Sequence, residues 1–348
     1  MKLSVIVPVY NTAPEDRLKH CLESLEAQTL ADMEVIVVDD ASTDDSPAVI
    51  KEFEERLSKE RPGFFKAVYC KENHKQGGAR NRGMKIASGE WIGFIDGDDF
   101  ASPEMYEKLL SKGEKTGADV VGCDYTITDR YDYKPGQNVT VNTDVQTGVL
   151  DDEKHKSLIV RSGSCVTKIY KKNLIDENGL SFPEGIFYED NCAGPLWTVY
   201  FKHFEYVREP LYHYLTVGTS TTHHVDIAKC RDRVKAGEIF LEECRRRGIT
   251  DRFPDEVEFH FTECAYANTL FSYMYSGQSR KPAYTQSLKK MILKEYPEFR
   301  KNIYVKKFIS DENRNFIDLQ MKNNLLFFIK YVLLFKYRDI KKGRKSNA

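Results

Sequence analysis

Three aspartates follow a short apolar run in the first third of this 348-residue chain. Asp96, Asp98 and Asp99 concentrate negative charge where that run ends, which is costly unless a cation neutralises it. Carboxylate oxygens on a tight turn suit Mg²⁺ or Mn²⁺, which keep open positions for substrate phosphates. The alternative is an acidic turn that only begins the next helix, and Ser102 is available there as a cap residue. The run by itself favours a divalent-metal site over a simple helix start.

Other apolar runs also end in residues that suit a ligand. Asp39 and Asp40 close the second run, where a carboxylate can accept hydrogen bonds from a nucleobase or a ribose, although a plain turn explains the same residues equally well. Gly78 would let the backbone approach a ligand closely, and Arg80 could supply positive charge to a phosphate. In an open parallel sheet, ligands bind at the carboxyl ends of the strands. We therefore expect these residues to share one rim with the three aspartates.

The apolar runs have the length and composition of buried strands. They are rich in Val, Ile and aromatic residues and cover residues 3–9, 34–39, 65–70, 91–96 and 119–123. Segments with helical periodicity lie between and after them, at residues 18–25, 48–57, 79–87 and 105–110. Short buried strands separated by helices predict a parallel sheet with right-handed crossovers. The predicted fold class is α/β, with a mostly parallel central sheet flanked by helices.

The pattern changes after Cys123. An antiparallel excursion over residues 125–149 is predicted next, and from residue 225 onward the chain is helical almost throughout. The predicted organisation is a first domain over residues 1–224, with halves 1–123 and 124–224, and a helical C-terminal subdomain with a basic tail over residues 225–348.

Composition narrows the classes of function. The formal net charge is −1, so nucleic acid is not an expected partner. The eight cysteines contain no Cys-x-x-Cys pair, which suits core residues in a reducing compartment. The sequence has neither a dinucleotide fingerprint nor a Gly-Lys-Ser/Thr loop, which argues against a dehydrogenase and a P-loop NTPase. The N-terminus does not read as a signal peptide and no apolar window has the length of a membrane span, so a cytoplasmic protein is expected.

Several segments, in order, resemble the motifs of family 2 glycosyltransferases. They are Ser4–Asn11, Val38–Asp44, Gly77–Gly83 and Gly89–Asp99, and the resemblance resumes at Lys168–Tyr170 and Phe182–Asp190. The resemblance implies the GT-A fold, with residues 1–123 binding the nucleotide sugar and residues 124–224 on the acceptor side. It also implies an inverting hexosyltransferase that uses a UDP-sugar donor and Mn²⁺ or Mg²⁺.

The matched motifs imply roles for individual residues on the donor side. The implied donor-binding residues are Pro8, Tyr10, Asp39, Asp40, Gly78, Arg80, Asn81, Asp96 and Asp98. Pro8 and Tyr10 would flank the base, and Asp40 would accept a hydrogen bond from the uracil edge. The members of the Gly77–Gly83 motif would lie along the ribose-diphosphate. Among the aspartates of the acidic turn, the preferred metal ligand is Asp99, followed by Asp98.

The resemblance also places a general base on the acceptor side. An inverting transfer needs a base that deprotonates the acceptor hydroxyl and a Lewis acid that stabilises the departing diphosphate. Asp190 is the candidate base, and the alternative is a first-turn acid of the helix that follows. Glu189 is expected to orient rather than to catalyse. Lys168, Ser220 and His223 are further candidates for acceptor contact or for a lid, with an exposed strand lysine and a solvated loop as the alternatives.

The C-terminal segment allows two interpretations. Apolar residues at 325–335, interrupted by Lys330, precede a cluster of basic residues. This pattern suits an interfacial helix on an anionic membrane, and it equally suits a final helix packed on the domain or in a homodimer. The first interpretation would place the protein at the inner face of the cell membrane.

The leading hypothesis is transfer of a sugar from a UDP-sugar to a glycan or lipid-linked saccharide in surface polysaccharide biosynthesis. The competing class is a catalytically silent sugar-nucleotide-binding protein of a polysaccharide assembly system, against which the presence of Asp98, Asp99 and Asp190 argues. A sugar-1-phosphate nucleotidyltransferase is disfavoured, because it would need a glycine-rich basic loop after the first strand. Residues 8–12 of this chain are Pro-Val-Tyr-Asn-Thr instead.

Overall fold

The computed structural model describes residues 1–134, 136–216, 227–275 and 280–346, with the side chains of the last helix described up to Phe335 and at Tyr337. The chain divides into two compact units, residues 1–218 and 219–348. The first unit combines strands and helices, and the described part of the second is helical.

The first unit is built on one mixed sheet of ten strands. The strands are β1 (Leu3–Val9), β2 (Met33–Asp39), β3 (Phe65–Tyr69), β4 (Trp91–Phe94), β5 (Phe100–Ala101), β6 (Val120–Thr128), β7 (Gln137–Val139), β8 (Gly148–Val149), β9 (Lys168–Lys171) and β10 (His203–Leu215). Their order is β3-β2-β1-β4-β9-β6-β10-β5, with β7 paired to β6 and β8 to β10. The pairs among β3, β2, β1 and β4 are parallel, as is β6 with β10, whereas β9 runs antiparallel to both neighbours. The predicted α/β class is confirmed, and the sheet becomes mixed beyond β4.

Helices flank this sheet. In the described part of the first unit they are α1 (Arg17–Glu26), α2 (Ser46–Glu60), α3 (Lys75–Ile86), α4 (Met105–Thr116), α5 (Asp152–Val160), α6 (Lys172–Glu177) and α7 (Asp190–Thr198). Every residue of β1 and β2 is buried, as expected for parallel strands covered on both faces. Helix α3 packs closely on β1 because Gly83 leaves room for the side chain of Ile6.

The predicted antiparallel excursion after the first half is present. Strand β7 pairs antiparallel with β6, and β8 pairs antiparallel with β10. The hydroxyl of Tyr206 ties this region to the sheet: it donates to Asp124 at 2.9 Å and accepts from the N–H of Val141 at 3.2 Å. The excursion is thereby held against the strands that it leaves and rejoins.

The predicted start of α4 is wrong in one respect. Its N-cap residue is Glu104, and Ser102 does not cap the helix with its side chain. The hydroxyl of Ser102 instead shares a 2.9 Å hydrogen bond with Nε2 of the buried His213. Ser102 is therefore bound by a residue of β10 that is distant in sequence. It does not cap the helix, although the local pattern predicts that it does.

The second unit is helical over its described residues. Its helices are α8 (Ile227–Arg246), α9 (Ile249–Arg252), α10 (Pro254–Phe261), α11 (Thr269–Tyr275), α12 (Pro282–Glu295), α13 (Ile303–Phe308), α14 (Asp311–Lys322) and α15 (Asn324–Ser346), with a π-helical stretch at Thr262–Asn268. Helices α14 and α15 are separate, because Asn323 is extended and its side chain accepts from the N–H of Leu326 at 3.0 Å.

Two further features of the fold are the state of the cysteines and the character of the longer helices. All eight cysteines are free, and all except Cys70 are buried, as expected for small core residues. Within the described residues, no helix combines the length and apolar character that a membrane crossing requires.

Candidate active site

The loops that follow β1, β2 and β4 lie side by side, because these three strands are parallel neighbours. Asp39 ends β2 and Asp40 follows it, and the N–H of Asp40 donates to the carbonyl of Val9 at 2.8 Å. The acidic turn, residues 96–99, follows β4. The acidic residues of two strand ends therefore meet at one rim, as the parallel arrangement predicts.

A hydrogen-bonded clamp joins the loops after β1 and β2. Asn11 adopts a left-handed conformation with φ 55°, which asparagine tolerates better than most residues. Its side-chain oxygen accepts from the N–H of Thr43 at 2.7 Å, and its own N–H donates to Ser42 Oγ at 3.0 Å. The clamp fixes the loop that carries Asp40.

Asp40 is buried at the base of that loop. Both of its carboxylate oxygens lie 2.9 Å from the backbone nitrogen of His74, which donates to them. Desolvation raises the pKa of this carboxyl, and the hydrogen bond from His74 opposes the rise. Asp39 is also buried and accepts from the N–H of Ser42 at 3.3 Å. Each aspartate thus lies at the rim and already has one backbone donor.

Tyr10 presents an open aromatic ring at the same rim. The residue is 46% exposed, whereas Pro8 is buried. The ammonium of Lys75 lies 5.9 Å from the centroid of the Tyr10 ring and 4.8 Å from that of Phe187. An aromatic face open to solvent can stack against a nucleobase.

The centre of the site is a buried arginine. Arg80, on α3, is 2% exposed. One terminal nitrogen donates to Glu189 at 2.5 Å and the other donates to Asp96 at 2.8 Å. Asp96 belongs to the acidic turn, and Glu189 ends residues 182–189, which we call the 182–189 segment. The planar guanidinium therefore holds these two parts of the chain in one geometry.

The neighbours of this arginine on α3 bind the same segment. Asn81 donates to the carbonyl of Phe182 and accepts from its N–H, each at 2.9 Å. A Cβ on Gly78 would collide with the side chain of His74, so only glycine fits there. The resemblance implies a place along the ribose-diphosphate for Gly78, Arg80 and Asn81. In the structure Arg80 and Asn81 bind protein groups, and these contacts position the 182–189 segment.

The three aspartates of the acidic turn have different surroundings. Asp99 is buried and accepts from the hydroxyl of Tyr212 at 2.5 Å and from the N–H of Leu215 at 2.9 Å. Asp96 is partly exposed and is bound by the buried arginine. Asp98 is partly exposed as well, and desolvation together with the negative charge of Asp96 raises the pKa of Asp98 to about 6. Burial and the negative charges of Asp98 and Asp96 raise the pKa of Asp99 as well, so a cation at the turn would relieve repulsion among all three carboxylates.

This donor set fits a divalent metal that the substrate helps to hold. Among the described residues, no three or more His, Cys, Asp or Glu side chains are close enough to hold an ion by themselves. Mg²⁺ usually binds through one or two carboxylates together with substrate phosphates. Asp98 offers one such carboxylate beside Asp96. Hydrogen bonds from Tyr212 and Leu215 already engage both oxygens of Asp99.

Asp190 begins α7, directly after the buried Glu189. Asp190 is exposed as a whole residue, although protein groups surround its carboxyl, and Oδ1 accepts from the N–H of Asn191 at 2.9 Å. Desolvation by the surrounding protein raises the pKa of Asp190, and the nearby arginine opposes that rise. Burial raises the pKa of Glu189 to about 7, again against the same arginine. Asp190 occupies the first turn of a helix, and it is also an accessible carboxylate suited to accept a proton.

Lys168 is buried, which removes the alternative of an exposed strand lysine. Its ammonium donates to the carbonyl of Ser164 at 2.8 Å, and burial lowers the pKa of Lys168 to about 8. Ser164 belongs to the loop before β9, which packs on α7 at Gly194. Lys168 thus supports the loop beside the helix of Asp190. The other lid candidates, Ser220 and His223, lie outside the described residues.

Sequence reasoning missed two tyrosines near the acidic turn. Tyr212 donates to Asp99 from β10. Tyr131 comes from the antiparallel excursion and stacks on His20 with ring centroids 3.8 Å apart. Burial raises the pKa of Tyr131 to about 12, with a contribution from the negative charge of Asp98. Both tyrosines lie in segments whose local pattern resembles that of ordinary strand and loop residues, so no motif marks them.

The sequence is similar to enzymes of one family. A family model described as Glycosyl transferase family 2 matches residues 4–177, which confirms the resemblance seen in the motifs. EpsH of Bacillus subtilis (strain 168) is 34% identical over 222 residues, 61% of this chain and 60% of that protein. The GalNAc(5)-diNAcBac-PP-undecaprenol beta-1,3-glucosyltransferase of Campylobacter jejuni subsp. jejuni serotype O:2 is 35% identical over 123 residues, 35% of this chain and 37% of that protein. The chain thus spans about three fifths or less of these relatives.

Solved structures share the fold. S. aureus TarS 1-349 superposes with a TM-score of 0.66 at 19% identity, covering 97% of this chain and 92% of TarS 1-349. Its complex with UDP-GlcNAc gives a TM-score of 0.54 at 20% identity, covering 95% of this chain and 82% of that one. At these identities the likeness shows the fold alone, and it confirms the predicted transferase fold with a helical C-terminal region.

The buried ion cluster should dominate the stability of the site. Arg80→Met should lower the free energy of unfolding by about 3–5 kcal/mol, because it leaves Glu189 and Asp96 without their cation. Urea unfolding measures the loss. The matched control is Arg56→Met, because Arg56 makes two hydrogen bonds with Glu26 near the surface, at 2.6 and 2.7 Å. The control should cost at most about 1 kcal/mol; equal losses in both variants would contradict this account of Arg80.

The buried amine of Lys168 should make stability depend on pH with a defined sign. Its pKa is about 8 in the folded protein and 10.5 without burial, so the unfolded chain binds more protons between these values. Stability therefore rises with pH in that window. Between about pH 7.5 and about pH 9.5, the unfolding free energy of the wild type should rise by about 1–2 kcal/mol relative to that of Lys168→Met. Urea unfolding of both proteins at both pH values tests this, and a constant or falling difference would show that Lys168 is not desolvated.

Proposed function

The chain belongs to glycosyl transferase family 2, and we propose that it transfers a sugar from a UDP-sugar donor to a hydroxyl of a glycan or lipid-linked saccharide, with inversion at the sugar carbon. The observation that carries the proposal is the pair of hydrogen bonds from Arg80 to Asp96 and Glu189. Through them the acidic turn and the start of α7 are held at a fixed separation. Fixed positions for the leaving group and the base are what a displacement reaction requires.

The donor nucleotide would bind along the clamped loops of β1 and β2. The open ring of Tyr10 offers a stacking surface for the base, next to the buried Pro8. Asp40 would accept from the uracil imide, with Asp39 in support, because each carboxylate oxygen can accept more than one hydrogen bond. A UDP-sugar as donor is supported by the TarS complex, which contains UDP-GlcNAc.

A divalent ion, Mn²⁺ or Mg²⁺, would stabilise the negative charge of the departing diphosphate when it is bound. Asp98 would be its protein ligand, with Asp96 beside it. Asp96 keeps its orientation through the buried arginine, and Asp99 keeps the turn attached to β10 through Tyr212. For this reason we rank Asp98 ahead of Asp99 as the metal ligand in the proposed reaction.

Asp190 would act as the general base. It takes the proton from the acceptor hydroxyl as that oxygen bonds to the sugar carbon, and UDP leaves from the opposite side. The raised pKa of Asp190 strengthens it as a base. Glu189 would position it from the buried side. Displacement on an alpha-linked UDP-sugar gives a beta-linked product, and the Campylobacter jejuni relative is named for a beta-1,3 linkage.

The acceptor is proposed from the same relative, whose name specifies an undecaprenol-linked saccharide. We propose a glycan or lipid-linked acceptor in polysaccharide biosynthesis, on the cytoplasmic side at the inner face of the cell membrane. Residues 1–224 would form the catalytic part, with 1–123 on the donor side and 124–224 on the acceptor side, followed by the helical subdomain 225–348. A catalytically silent nucleotide-sugar-binding protein would not need an accessible carboxylate at Asp190.

The role of Asp98 as metal ligand can be tested separately from the role of Asp99 in the stability of the acidic turn. Asp98→Asn should remove the Mn²⁺ dependence of UDP binding and leave the fold intact, because the side chain is partly exposed. Asp99→Asn should instead lower the unfolding free energy by about 1–3 kcal/mol, because the amide keeps only one acceptor oxygen and leaves either the Tyr212 hydroxyl or the Leu215 N–H without its partner. Calorimetric titration of UDP with and without Mn²⁺, paired with urea unfolding, gives both quantities. The opposite pattern would make Asp99 the metal ligand.

The transfer reaction itself is tested at Asp190. UDP-sugars are first screened for thermal stabilisation of the protein with Mn²⁺ present, and no stabilisation by any of them would sink the proposed donor class. Asp190→Asn should then lower kcat by about 10²–10⁴-fold and leave donor affinity unchanged. Asp176→Asn is the matched control, because Asp176 pairs with Lys172 at the surface, away from the rim. Full turnover by Asp190→Asn would remove Asp190 as the base.

A further inference from the structure

The final helix, α15, has an aromatic inward face that packs within the second unit. Phe327 and Phe335 are buried. The ring of Phe316, on α14, lies 4.7 Å from that of Phe327 and 4.4 Å from that of Tyr331, centroid to centroid. The ring of Phe335 packs edge-on against Tyr275 at 5.4 Å. These contacts fix which side of α15 is turned to the core.

The opposite side of the same helix is aliphatic and open. We call it the outward face; it consists of Leu325, Leu326, Ile329 and Leu333, which are between 48% and 63% exposed. Their spacing of one, three and four residues places them on one stripe of an α-helix. Single exposed leucines are ordinary on a protein surface, whereas a contiguous stripe marks an interaction surface.

The charge around this stripe has one sign. Lys330 is exposed at its edge, and its ammonium lies 5.5 Å from the ring of Tyr331. The sequence from residue 324 to 348 contains seven basic residues and one acidic residue, although the whole chain has a net charge of −1. Positive charge is therefore concentrated in the segment that carries the outward face.

We propose that the outward face of α15 docks on the surface of an anionic lipid bilayer, with the helix lying in the plane of the interface. The aliphatic side chains would enter the boundary between headgroups and acyl chains, and the basic residues would meet the anionic headgroups. Long basic side chains at the edge of an apolar stripe can keep their charge in water while their stems lie along the lipid. Among the residues that the structure describes, no helix has the length and apolar character of a membrane span.

Charge decides between a bilayer and a second copy of the chain. Pairing two outward faces in a homodimer would bring two strongly basic segments together, which like-charge repulsion opposes. An anionic bilayer carries the opposite charge, so it attracts the same basic residues. Docking needs neither a nucleotide sugar nor an acceptor, so it stands or falls independently of the proposed transfer reaction.

The test is co-sedimentation of the full chain with two kinds of vesicle, one of pure phosphatidylcholine and one of phosphatidylcholine mixed with phosphatidylglycerol. The wild type should bind the mixed vesicles more strongly than the neutral ones. Leu326→Glu/Leu333→Glu should lower the partition coefficient on mixed vesicles by at least ~10-fold, because it places two carboxylates in the stripe. Both positions are exposed, so thermal stability should be unchanged.

A matched control places the same chemistry elsewhere. Val145→Glu/Val149→Glu also changes two exposed aliphatic residues to acids, but in the first unit, and it should bind like the wild type. A second variant, Lys341→Ser/Lys342→Ser/Arg344→Ser, should abolish the preference for anionic vesicles with the outward face intact. Absence of wild-type binding to mixed vesicles, or equal loss in the valine control, overturns the proposal. The proposal is also overturned if the wild type is a dimer and Leu326→Glu/Leu333→Glu dissociates that dimer without any change in vesicle binding.

Discussion

The candidate site depends on one buried cation. The guanidinium of Arg80 is removed from water and binds two carboxylates, an arrangement that is favourable only while every charge keeps its partner. One partner is Asp96, which follows β4. The other is Glu189, which stands 109 residues away in sequence and directly precedes Asp190. A single side chain thus links the acidic turn to the residue that directly precedes the candidate base.

Other buried contacts hold the segments that surround Arg80. Asn81 holds the start of the 182–189 segment through both polar groups of the Phe182 backbone, and Tyr212 holds the acidic turn through Asp99. The ring of Tyr10 and carboxylates at the acidic turn and at the start of α7 remain accessible. The buried polar residues set the geometry, and the accessible ones are available to substrate.

Local pattern predicts much of the fold and the position of the rim. Strands β1, β2 and β4 are buried apolar runs, and parallel neighbours must end at the same edge, so the acidic residues at their ends were predictable together. The roles of Arg80, Asn81 and Ser102 were not. Their distant partners Glu189, Phe182 and His213 lie 101 to 111 residues away, and no local pattern encodes such a pairing. A sequence motif does not distinguish an arginine that forms buried ion pairs from an arginine that binds phosphate.

The most direct test of the central claim is therefore the split between binding and turnover in Arg80→Lys. Lysine keeps the positive charge but cannot bind Asp96 and Glu189 through one planar fork. If Arg80 positions the two halves of the site, the donor dissociation constant should stay close to that of the wild type while kcat falls by about 10²-fold, as expected for a small misplacement of reacting groups. If donor affinity falls while kcat at saturating donor is preserved, Arg80 is a ligand of the donor and not the tie that the site depends on.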